Sequence, residues 1–154
     1  MWVIPAERTK TGKKSGQDHH VPLPDRAIDI LNKMPRVSDY VFPGRYANRN
    51  LNAAIPLGEG AMLDQLRAIC DYRDRDGDPV TVHGFRSTFN DWAGDQTEFD
   101  RDTIQMQLAH KVVKGSEAAY RRMRALEKRR RLVDAWSDYC MGRSNVVPFQ
   151  KGAV

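Results

Sequence analysis

The chain has 154 residues, enough for one domain with its own hydrophobic core. Its apolar fraction of 40% and charged fraction of 29% are typical of a folded globular protein and argue against wholesale disorder. No run of about 18 apolar residues occurs and no export signal is evident, so we predict a cytoplasmic protein without a membrane partner. The cysteines, Cys70 and Cys140, fit a reducing compartment and are expected to be buried thiols.

Positive charge is concentrated towards the carboxyl end. The net charge is +5 and the pI is near 9.4. The segment 114–131 contains eight basic residues: Lys114, Arg121, Arg122, Arg124, Lys128, Arg129, Arg130 and Arg131. Only Glu117 and Glu127 oppose them. Such a cluster is typical of contacts to phosphates, although a solvated helical face has the same composition.

The amino-terminal residues predict a pair of short strands. Segments 2–4 and 20–23 have strand-like composition, and the polar, glycine-containing segment 7–18 between them predicts a loop with a basic tip.

Two helices and a long connection are predicted next. A helix is expected over 25–34, with Ala27, Ile28 and Leu31 on one side. Prolines and glycines across 35–58 indicate a connection. An amphipathic helix is expected over 59–70, with its apolar residues at helical spacing: Met62, Leu63, Leu66, Ile69 and Cys70.

From His83 onward the pattern is almost entirely helical. Asp100 is expected to cap a helix that runs to about residue 110, with Phe99 and Ile104 as a hydrophobic staple. The last helix is expected to bury one apolar face, formed by Leu132, Val133, Trp136, Tyr139 and Cys140. Together these elements predict a mainly α fold with a small amino-terminal antiparallel β-sheet, an α+β class.

Neither a metal nor another cofactor is predicted. The Asp-rich turn 71–79 superficially resembles a calcium loop. With Gly77 at the sixth position, however, Tyr72 and His83 would occupy the first and twelfth positions, and both are wrong for an EF-hand. The cysteines and histidines have no zinc-type spacing.

The segment around His83 carries the first candidate chemistry. A helix beginning here would place Phe85, Phe89 and Trp92 towards the core, and His83, Arg86 and Asn90 on the opposite side. Arginine offers a bidentate fork to phosphate oxygens, and histidine can exchange a proton near neutrality. Taken alone, a histidine and an arginine three residues apart are more often ordinary surface residues.

Further motifs follow in a fixed order. Arg8-Thr9-Lys10-Thr11-Gly12 leads to Val21-Pro22-Leu23, then His83-Gly84-Phe85-Arg86, Leu108-Ala109-His110-Lys111 and Ala118-Ala119-Tyr120. This ordered set resembles the catalytic signature of tyrosine recombinases, and the residues within its motifs are similar to those of prophage and satellite-phage integrases. The resemblance covers nearly the whole chain and implies part of a recombinase catalytic domain over 1–141, followed by a tail over 142–154.

The resemblance implies a role for each catalytic candidate. Tyr120 would attack a DNA phosphate, giving a phosphotyrosine and a free 5′-hydroxyl. Arg86 and His110 would stabilise the non-bridging oxygens of the transition state. Lys10 would protonate the leaving oxygen, and His83 would be the acid/base partner of the tyrosine.

Each candidate has a structural alternative. Tyr120 could be a packing tyrosine, and His110 could cap the end of its helix, where a cation suits the dipole. Lys10 competes with Lys13 and Lys14 in a loop that is longer than the family usually has. His19 and His20 are expected to be strand-edge residues rather than ligands.

Double-stranded DNA is the expected partner. Phosphate contacts are assigned to Lys13, Lys111, Lys114, Arg121 and Arg122. The resemblance also implies a tetramer on DNA in the full-length protein. The apolar residues Val146, Val147 and Phe149 suggest that the tail docks on a neighbouring subunit.

The family carries one more essential arginine, in a Thr-Gly-Leu-Arg type of stretch before the first strand, and it does not occur in these 154 residues. The expectation is therefore a site-specific recombinase for integration or excision of a mobile element, with weak or no activity in this chain alone. A non-catalytic DNA-binding remnant of an integrase is the alternative. A type IB topoisomerase, which shares the chemistry, is a third possibility.

Overall fold

The structure is a computed structural model that describes residues 1–44, 55–110 and 118–143, without the side chains of residues 118–124. The described part is mainly helical with one two-stranded antiparallel sheet, which confirms the predicted composition of the fold. The chain divides into two compact units, one formed by Met1–Ala27 with Thr88–Val154 and the other by Ile28–Ser87.

The first unit begins with a β-hairpin. Strands β1 (Trp2–Ile4) and β2 (His19–Val21) pair antiparallel, with Trp2 opposite Val21 and Ile4 opposite His19. The second strand therefore lies slightly earlier than predicted. The segment between the strands was predicted as a plain loop, but it contains a 3-10 turn (Ala6–Arg8) and a short helix, α1 (Gly12–Ser15).

Helix α2 (Asp25–Lys33) lies close to the predicted bounds. Its apolar side is only partly covered, because Ala27 and Leu31 are half-buried while Ile28 is exposed.

The second unit contains helix α3 (Ala61–Ile69), also close to its predicted position. Leu63 and Leu66 are half-buried, whereas Met62 and Ile69 are exposed, so the predicted apolar face is only partly used. In the turn that follows, the Asp74 carboxylate accepts the backbone N–H groups of Asp76 and Asp78 at 3.0 and 2.9 Å. This carboxylate therefore stabilises the turn.

The core of the first unit lies between three helices: α4 (Gly84–Gln96), α5 (Arg101–Gln107) and α6 (Ala118–Cys140). The buried cluster consists of Phe89, Trp92, Ala93, Ile104, Leu108 and Leu132. Phe85, predicted to face the core, is 53% exposed. The prediction was wrong because the buried stripe of α4 begins one turn later, at Phe89.

Helix α5 starts as the sequence predicts. The Asp100 carboxylate accepts the backbone N–H of Thr103 at 2.9 Å, which satisfies one of the open donors at the helix start. Phe99 packs against the core that contains Ile104, as expected of a hydrophobic staple. Lys128 of α6 reaches the same carboxylate at 2.8 Å and thereby ties α6 to the start of α5.

An aromatic cluster joins α4 to the end of α6. Trp92 and Trp136 lie 5.0 Å apart by ring centroids, and Trp136 stacks on Tyr139 at 5.5 Å. Leu132 and Val133 are buried as predicted, but Tyr139 and Cys140 are exposed and Cys70 is half-buried. Tyr139 covers the edge of the cluster, so its ring is packed without being enclosed.

Candidate functional site

A groove of about 720 Å³ opens in the first unit between the β-hairpin and the helices. One side is formed by residues of the hairpin loop and β2 between Thr9 and His20. The other side is formed by the end of α5, including His110, and by α6 at Ala125, Leu126 and Arg129. We call it the hairpin groove.

The loop that borders the groove is held in shape by its own hydrogen bonds. Asp18 accepts the backbone N–H of Ala6 at 2.9 Å, and Thr9 Oγ1 accepts that of Gly12 at 2.8 Å. Gly12 is buried, and a Cβ there would lie 2.5 Å from the carbonyl oxygen of Ala6, so no larger residue fits. Lys10 and Lys13 lie on this loop and are exposed. The loop therefore presents cations to solvent from an ordered backbone.

The loop is attached to the segment that carries His110. Thr11 donates its hydroxyl to the carbonyl of Ala109 at 3.1 Å, across 98 positions of sequence. Lys10 directly precedes Thr11 and His110 directly follows Ala109. The two predicted candidates are therefore sequence neighbours of the residues that form this hydrogen bond.

Helix α5 ends in a Schellman motif that places His110. The N–H of His110 donates to the carbonyl of Gln105 at 2.9 Å, and that of Ala109 donates to Met106 at 3.1 Å. Ala109 adopts a left-handed conformation with φ of 54°, which glycine usually supplies. His110 therefore does cap its helix, but with its backbone N–H, and its imidazole remains at the groove.

A chain of side-chain hydrogen bonds fixes the imidazole. His110 Nδ1 donates to the Gln105 side-chain oxygen. Gln105 Nε2 in turn donates to Asn90 Oδ1 at 3.0 Å, and Asn90 Nδ2 donates to Asp91 at 3.3 Å. The bond at Nδ1 orients the ring and leaves Nε2 for a ligand. Sequence analysis missed Gln105, because a pair five residues apart becomes adjacent only when the helix ends between them.

Arg129 is the other residue that sequence analysis did not single out. It is 8% exposed and lines the groove. Its Nε donates to Gln107 Oε1 at 2.9 Å, and its Nη2 donates to the carbonyl of His20. Burial lowers the pKa of its guanidinium from the usual value, because desolvation disfavours the charged form.

His83 and Arg86 belong to the second unit, where His83 is exposed and Arg86 is half-buried. His83 precedes α4, and its carbonyl accepts the N–H of Arg86 at 3.0 Å. The two residues thus share the first turn of this helix region, as their spacing predicts.

The remaining candidates lie at the edge of the described chain. Tyr120, Arg121 and Arg122 are in the first turns of α6, with side chains outside the description. Lys111 and Lys114 lie outside the described residues, as does most of the tail predicted over 142–154.

Among the described residues, no cluster of histidine, cysteine or carboxylate side chains could hold a metal ion. In the same part of the chain, no helix is long and apolar enough to cross a membrane.

The known proteins reported below are similar to this chain, and all of them are named integrases. Prophage integrase IntZ of Escherichia coli (strain K12) is 32% identical over 139 residues, which is 88% of this chain and 31% of that protein. The integrase of Enterobacteria phage P4 is 29% identical over 151 residues, 90% of this chain and 33% of that integrase. The chain is a homologue of phage and prophage integrases. Prophage integrase IntA of the same E. coli strain is 31% identical over 147 residues, 89% of this chain and 30% of its own length.

The chain thus spans about a third of the length of the integrases it matches, which fits a partial, carboxyl-terminal integrase. No family model matches the chain, and no solved structure matches it.

Proposed function

We propose that the chain supplies most of the active site for site-specific DNA recombination, in the integration or excision of a mobile element. The observation that carries the proposal is the groove beside His110, where one ordered loop bearing Lys10 and an oriented imidazole meet in a homologue of phage integrases. The relatives' name fits DNA as the partner, and the groove offers groups suited to a phosphate.

In the proposed reaction, the Tyr120 oxygen attacks a DNA phosphorus and the P–O5′ bond breaks. Tyr120 loses its hydroxyl proton, with His83 as the acid/base partner, and Lys10 protonates the departing 5′-oxygen. Arg86 and His110 stabilise the charge on the non-bridging oxygens. The energy of the phosphodiester is kept in the phosphotyrosine, so rejoining needs neither ATP nor a metal.

His110 can play this part because of its local structure. Its Nδ1 is committed to Gln105, so Nε2 is the nitrogen that meets a phosphate oxygen. A ring protonated on both nitrogens donates from Nε2 while it stays anchored through Nδ1. The Schellman motif fixes the backbone on which this ring stands.

We further propose that these 154 residues alone cleave DNA weakly. An arginine that stabilises a transferring phosphoryl group contributes on the order of 10³–10⁵ in rate, and the family's other essential arginine is absent from this sequence. Lys13, Lys111, Lys114, Arg121 and Arg122 would contact the DNA backbone. The full-length protein would act in the cytoplasm as a tetramer on DNA, with the 142–154 tail docking on a neighbouring subunit.

A suicide substrate tests the chemistry. A nicked duplex carrying an end of the mobile element traps the covalent intermediate, which is read as a protein band that carries labelled DNA. We expect a low yield from this chain, a higher yield when the chain is fused to the amino-terminal part of an integrase relative, and none from Tyr120→Phe. Tyr139→Phe, at another tyrosine of α6, is the matched control and keeps the yield.

The possible outcomes of this test distinguish the candidate functions. Abundant adduct from the chain alone would contradict the proposed defect. Salt-dependent DNA binding that survives Tyr120→Phe, with no adduct from any form including the fusion, favours the DNA-binding remnant. Relaxation of supercoiled plasmid would favour a topoisomerase.

A further inference from the structure

The most unusual group in the described chain is the buried guanidinium of Arg129. Arginine is almost never fully buried unless it is paired, because removing its charge from water is costly. Arg129 is 8% exposed, and its partners among the described residues are a side-chain amide oxygen and a backbone carbonyl, both uncharged.

Its neighbour in sequence shows the contrast. Lys128 is exposed and forms an ion pair with Asp100 at 2.8 Å. The exposed cation therefore has a carboxylate, while the structure gives the buried cation none within ion-pair distance among the described residues. Asp18 is a carboxylate that lines the groove; its Oδ1 accepts the N–H of Ala6, and its oxygens lie beyond ion-pair distance of Arg129.

Part of the guanidinium is left for a ligand. Arginine has five N–H donors, and the bonds to Gln107 and His20 use Nε and Nη2. Nη1 takes part in neither bond. Arg129 lines the groove, and the groove's volume of about 720 Å³ is large enough for a phosphodiester.

Other side chains that line the groove can donate hydrogen bonds to an anion. The hydroxyls of Thr9 and Ser15 line it, and each accepts a backbone N–H through its oxygen, which leaves its own hydrogen to donate. The imidazole of His110 lies on the same groove. Arginine binds phosphate through short, charge-assisted hydrogen bonds.

We propose that Arg129 binds a phosphodiester of duplex DNA in the hairpin groove, and that this phosphate supplies the counter-charge missing from the fold. This inference rests on the proposed function for the identity of the anion. It adds a residue that no sequence motif distinguishes from the other basic residues of α6.

Equilibrium binding tests the proposal without the cleavage chemistry. The full chain carrying Tyr120→Phe is titrated against a labelled duplex at several salt concentrations, and the slope of log K against log salt counts the phosphates contacted. We expect Arg129→Gln to reduce the slope by about 0.9, one phosphate, and to weaken binding roughly tenfold at low salt. Lys128→Gln removes the same charge one position away and should leave the slope unchanged.

The effect must be separated from a loss of structure, because Arg129 also holds β2 and α5. Gln107→Leu removes one structural partner and keeps the cation, so a binding role predicts an unchanged slope. Independently of any variant at 129, the Nε–H signal of Arg129 in the Tyr120→Phe chain, assigned through bonds from its backbone, should shift as duplex is added. This measurement decides the question if Arg129→Gln does not fold.

Three outcomes overturn the proposal: an unchanged slope in folded Arg129→Gln, an equal loss in Lys128→Gln, or an Nε–H signal that saturating duplex does not move. If the proposed recombination activity is wrong but Arg129 does bind a phosphate, the experiments give a different result. In that case no adduct forms, while the dependence of the salt slope on Arg129 persists.

Discussion

The hydroxyl of Thr11 donates to the carbonyl of Ala109 at 3.1 Å, and this bond joins the segment that carries Lys10 to the segment that carries His110. On one side is the loop that holds Lys10, and on the other is the turn that presents His110. Since the two segments are 98 positions apart, the contact forms only when the hairpin docks on α5.

Replacing Thr11 with valine tests this contact. The substitution keeps the shape of the side chain but leaves the part-buried carbonyl of Ala109 without its donor, at a cost of about 1–2 kcal/mol in the free energy of unfolding. Urea denaturation measures the loss. Ser15→Ala, at an exposed hydroxyl of the same loop, should change it by less than about 0.5 kcal/mol. Equal stability of the two variants would show that the docking bond is unimportant.

The ends of α5 and α6 offer a matched pair of glycine substitutions. Both helices end in a Schellman motif, with Ala109 at φ 54° in one and Gly142 at φ 65° in the other. A left-handed conformation costs an L-residue about 1–2 kcal/mol, partly offset by the greater chain entropy of unfolded glycine. We expect Ala109→Gly to raise the free energy of unfolding by roughly 0.5 kcal/mol. Gly142→Ala should lower it by a similar amount, because a Cβ there meets no neighbour and only the backbone strain remains.

Thermal and urea denaturation of both variants check these signs. If Ala109→Gly is destabilising while Gly142→Ala behaves as expected, the methyl group of Ala109 contributes packing that outweighs the strain.

The bond between Gln105 and His110 can be tested through activity. Gln105→Met removes the acceptor of His110 Nδ1 and the donor to Asn90 while keeping an unbranched side chain. A misplaced catalytic group can cost up to about 10²-fold in rate, so we expect the rate of adduct formation on the suicide substrate to fall roughly tenfold to hundredfold. The substitution is made in the chain fused to the amino-terminal part of an integrase relative, so that the starting rate of adduct formation is measurable.

DNA affinity separates positioning from binding in this variant. Gln105→Met should keep its dissociation constant for uncleaved duplex within about twofold, since Gln105 itself donates to no phosphate in the proposal. Asn90→Ala, one step further from His110, should have a smaller effect on the rate. An unchanged rate in Gln105→Met means that the ring does not need this anchor.

Much of the fold could be predicted from local patterns. The Asp100 cap and its staple depend on neighbouring residues, and they appear in the structure as the sequence indicates. Phe85 shows the limit of such patterns. Its spacing matches Phe89 and Trp92, but the core to be filled lies only beside the later turns of α4, and periodicity carries no information about where the neighbouring helices end.

The candidate site could be predicted only where motifs were dense. Ordered motifs predicted Lys10 and His110 as candidates, and Thr9, Thr11 and His110 from the same segments line the groove. Thr11 and Gln105 contribute through contacts made after docking or helix termination. Arg129 could not be separated from the surrounding basic residues, because its distinguishing property is burial, which the charge pattern of α6 does not show.

The pair formed by Asp100 and Lys128 predicts a pH dependence of stability. The hydrogen bond from Lys128 holds the pKa of the Asp100 carboxyl below its usual value, and the bonds from Thr103 act in the same direction against the effect of burial. A carboxyl whose pKa is lower in the folded state binds its proton less readily there than in the unfolded chain. Its contribution is therefore fully present above the usual aspartate range and is lost as the pH falls through about 4 and below.

Asp100→Asn removes this titration but keeps a residue that caps helices well. We expect the variant to show a shallower loss of stability between about pH 5 and pH 3 than the parent chain. The difference should be small, because both side chains are about half exposed and solvent screens the pair. Lys128→Met should flatten the same limb in part, since the Thr103 bonds remain, and adding it to Asp100→Asn should have no further effect on the slope. A parent and Asp100→Asn with parallel acid limbs would show that the carboxylate is not held by Lys128 in solution.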